Sequence, residues 1–121
     1  MDILERLKSA TAASRELDAE IAKAIGYQNV GHHDVGSPHL WGWYGLSPDG
    51  DKVQIPPFTA SIDAALALVE RMLPGWKYEI RPRFAKLLNP HKPRSDASGM
   101  GDTPALAILI ALFTALKERP P

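Results

Sequence analysis

Four residues able to bind a metal or carry a proton fall within eight positions of this chain: His32, His33, Asp34 and His39. Imidazole and carboxylate groups are ligands for zinc and other transition metals, and a single loop can gather four of them. Adjacent histidines, however, rarely both face one ion, and the spacing fits no recognised ligand pattern. As general bases they need an oriented partner and a pocket, and the sequence displays neither. The reading adopted is a solvated polar loop with no metal and no cofactor. A metal-dependent enzyme ranks third among the functional readings because it rests on these residues alone.

The aromatic residues form a second group: Trp41, Trp43, Tyr44 and Trp76. On a strand, Trp41 and Trp43 share one face and Tyr44 takes the other. Two exposed indoles would stack a base or another flat ligand; two buried ones would be core. Both readings stand for Trp41 and Trp43. Trp76 reads as core, because Trp76, Tyr78 and Ile80 alternate with charged residues.

Lys77, Arg81, Arg83, Lys86, Lys92 and Arg94 are six of the fourteen cations, relieved only by Glu79. The arginines offer paired donors for a phosphate or an acidic surface. The same charges would also protect a solvated sheet edge from aggregation. Together, Trp41, Trp43 and Tyr44 with Lys77, Arg81 and Arg83 are the candidate binding residues. They would engage a protein partner or, alternatively, a nucleotide-like ligand bearing phosphate. Residues 95–101 resemble a phosphate cradle ahead of a helix, but Asp96 and Asp102 oppose an anion and the P-loop lysine is missing. No Gly-x-Ser-x-Gly element or paired-histidine helix occurs, so no catalytic residue is assigned and the chain reads as a non-enzyme.

The elements that position these groups follow from capping and periodicity. Ile3, Leu4 and Leu7 suggest a first helix over 2–9. Ser14 caps a second, in which Leu17, Ile21 and Ile25 form a stripe that ends at Gly26. Residues 27–37 read as loop. Residues 39–46 and 52–55 read as an antiparallel hairpin around Pro48-Asp49-Gly50-Asp51. Ser61 caps a helix with a stripe of Ile62, Leu66, Val69 and Leu73, stopped by Pro74-Gly75. Residues 76–81 and 84–88 read as strands, and 89–101 as a long loop. The last helix, 103–117, starts at Thr103-Pro104 and is apolar nearly all round. One side carries Leu106, Leu109, Ile110, Phe113 and Leu116; the other carries Ile108, Leu112 and Ala115. The second side needs cover from the helix at 15–25 or from a second copy, which makes a homodimer through 103–117 an expectation.

The predicted fold is α+β: one domain over 1–121, with an antiparallel sheet of about four strands and helices packed on it, an α/β/α-type sandwich. At 121 residues the chain can build one core unaided. Fourteen basic and fourteen acidic residues balance, so no global field recruits nucleic acid or membrane. The lack of cysteine excludes disulfides and thiolate chemistry and fits a cytoplasmic location. The acidic, apolar start is unlike a signal peptide, and the apolar run from Ala105 is too short to span a membrane.

Three stretches, in order, resemble the phage ABA sandwich domain family of small phage and prophage proteins. They are SRELDAEIAKAIG at 14–26, PFTASIDAA at 57–65 and TPALA at 103–107. The resemblance implies helices layered on both faces of a sheet and a bacterial cytoplasmic setting. It carries over no activity and no functional residue. The inserts at 31–44 and 89–101 depart from the shorter members of that family.

Overall fold

In the computed structural model, residues 2–33, 42–92 and 96–118 are described. Four helices occur there: α1 (Ile3–Ser9), α2 (Arg15–Ala24), α3 (Ile62–Met72) and α4 (Pro104–Glu118). Each begins at a polar side chain that accepts a hydrogen bond from an otherwise orphaned N–H. Asp2 caps Glu5 at 2.9 Å, Ser14 caps Leu17 at 3.2 Å, Ser61 caps Ala64 at 3.1 Å and Thr103 caps Leu106 at 3.2 Å. Gly26 closes α2 at φ +107°, a conformation in which an L side chain is strained.

The strands form two antiparallel sheets of three rather than one sheet of about four. The first joins β1 (Gln28–His33), β2 (Gly42–Leu46) and β3 (Lys52–Gln54). Residues 39–41 of the expected hairpin lie outside the described residues; the rest is present as β2 and β3, with Ser47 N–H donating to the Asp51 carbonyl at 2.8 Å. The expected loop at 27–37 contains β1 instead. Its register slips between Gln28 and Gly31, where Asn29 stands at φ +53°, and this bulge breaks the alternation that would have announced a strand.

The second sheet joins β4 (Lys77–Arg81), β5 (Phe84–Leu88) and β6 (Ala97–Met100). β6 lies inside the stretch read as a long loop. Its inward residues are Ala97 and Gly99, too small to give a hydrophobic pattern. The reason is α4, which lies directly against it. A Cβ on Gly99 would sit 2.6 Å from both the Ala107 carbonyl oxygen and the Ala111 nitrogen, so only glycine allows that approach.

Helix α4 is the centre of the molecule. It packs on β5 and β6 on one side and on α1 and α3 on the other. Leu106 and Leu109 on one expected side and Ile108 and Leu112 on the other are all fully buried within one chain. The face expected to need a second copy is therefore already covered, by α1 and α3 rather than by α2. In α3 the buried stripe is Ala65, Leu68, Val69 and Leu73, whereas Ile62 is 41% exposed and Leu66 half-buried. The expected Val69 and Leu73 do lie inward, and the helix is turned only partway, so that Ala65 and Leu68 replace Ile62 and Leu66 on the buried side.

Candidate functional site

The second sheet has one sealed face and one open face. Ala85, Leu87, Ala97 and Gly99 point to α4 and are buried. Side chains alternate across a strand, so the other face presents Lys77, Glu79 and Arg81 from β4, and Phe84, Lys86 and Leu88 from β5. Ser98 and Met100 extend it on β6. No helix covers this face among the described residues. Lys77, Glu79, Arg81 and Ser98 are exposed, and Met100 is 75% exposed, a large apolar side chain left in water. Phe84 and Leu88 are half-buried between the charges.

Cross-strand register organises those charges. Glu79 lies opposite Lys86, whose ammonium is 3.9 Å from Asp96. Pro82 and Arg83 form the tight turn between β4 and β5, as the proline predicted. Arg83 donates from Nη2 to the Asp102 carboxylate at 2.7 Å while its side chain stays 72% exposed. Beside it a cleft of about 370 Å³ is lined by Lys8, Ala10, Arg83, Met100, Gly101 and Asp102. The predicted cations Lys77, Arg81 and Arg83 thus belong to one sheet and its turn.

The aromatic residues do not join them. Trp43 and Tyr44 stand on β2 in the first sheet, on opposite faces as alternation required. Trp43 pairs across the sheet toward Ile55, is half-buried and packs against the core with Val30, as Trp76 does elsewhere. Tyr44 is half-buried and lies between Gly31 and Gln54 in register. Trp41 lies outside the described residues.

In β1, His32 pairs through its backbone with Trp43 and His33 with Gly42. Asp34, His39 and Arg94 lie outside the described residues. Among the described residues, no group of three or more His, Asp or Glu side chains gathers to hold a metal. None of the described helices is long and apolar enough to cross a membrane.

Sequence reasoning missed a buried polar cluster that spans distant segments. Asp18 in α2 is fully buried, and its Oδ1 accepts from both the N–H and the hydroxyl of Thr59 at 2.7 Å. Arg15 donates to Oδ2 at 2.8 Å and, through its other nitrogen, to the Ile55 carbonyl at 2.6 Å. Thr59 Oγ1 also accepts from Ser14 N–H at 2.9 Å. The cluster locks the start of α2 onto the segment before α3. The signal for it was Asp18 itself, a charged residue set between Leu17, Ile21 and Ala22 on the apolar side of its helix. The cluster is sealed from solvent at its carboxylate and every acceptor is used, so it holds the fold and leaves nothing free for a ligand.

No family model, curated protein or solved structure matches this chain.

Proposed function

We propose that this protein is a non-catalytic interaction module that presents the open face of β4, β5 and β6 to an acidic protein surface. The observation that carries the reading is the asymmetry of that sheet: one face is sealed by α4, and the other, which no described helix covers, is set with Lys77, Arg81 and Lys86 around Phe84, Leu88 and Met100. An exposed methionine beside half-buried apolar side chains gives an adaptable contact, and the cations around it select partner charge. A balanced net charge argues against nucleic acid, whose binding draws on a wide basic field. The resemblance at 14–26, 57–65 and 103–107 points to a phage or prophage protein acting in the bacterial cytoplasm.

The nucleotide-like ligand is the second reading. It requires stacking by Trp41 or Trp43 together with charge from Arg81 or Arg83; Trp43 stands on the first sheet and the arginines on the second and its turn, and Trp41 lies outside the described residues. A fluorescein-labelled oligoglutamate separates the two readings by anisotropy. It should bind in low salt and be released as salt rises, and R81E/R83E should weaken it by about tenfold, from two exposed charge contacts reversed. Nucleotide binding that quenches tryptophan, with no oligoglutamate binding, would replace the first reading with the second.

A further inference from the structure

The edge of β4 with which no described strand pairs is complementary to itself. The Arg83 carbonyl accepts from Gly101 N–H at 3.1 Å, so Arg83, Ala85 and Leu87 turn their backbone groups toward β6. Phe84, Lys86 and Leu88 therefore turn theirs toward β4, where they meet Arg81, Glu79 and Lys77. What remains on the outer edge is the N–H and C=O of Tyr78 and Ile80, since no described strand pairs there. Side chains repeat the message. Tyr78 is on the face that packs toward α4, yet it is 44% exposed, because α4 lies over β5 and β6 and only grazes β4.

We propose that a second copy of this chain docks antiparallel along this edge, centred on Tyr78, and joins two three-stranded sheets into one continuous sheet. A two-fold axis normal to the sheet keeps each face on its own side, so only residues of like parity can oppose one another. Centring on Glu79 sets Glu79 against its own copy and Lys77 against Arg81, three like-charge contacts. Centring on Ile80 brings Pro82, which has no N–H, opposite Tyr78. Centring on Tyr78 places Lys77 opposite Glu79 twice, in the closely spaced pairs without hydrogen bonds where side chains meet best. On the other face it sets Tyr78 against Tyr78 and Ile80 against Trp76, covering the exposed ring. The Trp76 N–H is given to the Leu73 carbonyl of its own chain at 3.2 Å. One short strand per copy is a small interface, so the dimer forms and dissociates with concentration. The proposal does not depend on the acidic partner, and its readout is mass rather than binding.

Sedimentation equilibrium from micromolar to millimolar protein tests it. The wild-type chain should pass from one chain's mass to two. K77E sets Glu against Glu79 of the other copy, and E79K sets Lys against Lys77; each alone should weaken the dimer at least about tenfold. Their equimolar mixture restores both opposite-charge contacts and should regain the two-chain mass. Circular dichroism melts check that both exposed-site variants fold. A monomer at every concentration overturns the proposal. So does a dimer that both reversals leave unchanged, or a mixture no heavier than its separate components.

Discussion

Replacing Asp18 with alanine should destabilise the protein by about 3 kcal/mol, and the structure gives the parts of that figure. The Thr59 N–H, in a residue 1% exposed, loses the carboxylate oxygen to which it donates, and a buried orphan donor costs about 1–3 kcal/mol. The Thr59 hydroxyl keeps an alternative, because the Ser14 carbonyl lies 3.1 Å away, so its loss is smaller. Arg15 is 38% exposed and retains the Ile55 carbonyl at 2.6 Å, so solvent recovers most of its charge and the ion pair itself adds less than about 1 kcal/mol. The removed side-chain volume adds a modest cavity term. Urea unfolding followed by tryptophan fluorescence should give a lower midpoint with an unchanged slope. Asp18→Asn keeps the shape and one acceptor oxygen and should lose about half as much. Thr59→Val should couple to Asp18→Ala by at least about 1 kcal/mol in a double-mutant cycle, because the two share their hydrogen bonds. If Asp18→Ala shifts stability by no more than about 0.5 kcal/mol, or the cycle is additive, the cluster does not lock α2 to the segment before α3.

Other perturbations have definite outcomes. Gly99→Ala forces a Cβ to within 2.6 Å of the backbone of α4, so it should cost about 3 kcal/mol or prevent folding, measured by thermal melting. Ser61→Ala removes the hydroxyl that accepts from Ala64 N–H and should cost about 1 kcal/mol by urea unfolding. Trp43→Ala should cost about 2 kcal/mol, since its ring packs against the core, and should leave oligoglutamate binding unchanged in the anisotropy assay.

The helices were legible because their signals are local. Asp2, Ser14, Ser61 and Thr103 stand at the caps, and Pro104 opens α4 where a missing N–H costs nothing. Strands whose sequence carries a period of two, β2 and the β4–β5 hairpin, were legible for the same reason. β1 and β6 were not, since a bulge at Asn29 and the small residues Ala97 and Gly99 erase the period. Small inward residues in β6 are a consequence of how near α4 comes, which is a tertiary fact. The charged face was legible as a cluster of cations, Lys77 through Lys86. That no described helix covers the same face was not, because cover depends on which side of the sheet α4 occupies. Asp18 escaped notice because a carboxylate in the first turn of a helix is ordinary; only the approach of Thr59, from forty-one positions later, makes it a buried lock.

On the proposed reading, the open face of the second sheet is the surface by which this protein acts. Titration of the isotopically labelled protein with oligoglutamate, followed by amide and methyl NMR shifts, tests it directly. The predicted result is a contiguous set of shifts at Lys77, Arg81, Phe84, Lys86, Ser98 and the Met100 methyl, reached only at about tenfold higher oligoglutamate in R81E/R83E. Shifts confined to Trp43 and Tyr44, or scattered over the molecule and unchanged in R81E/R83E, would contradict it.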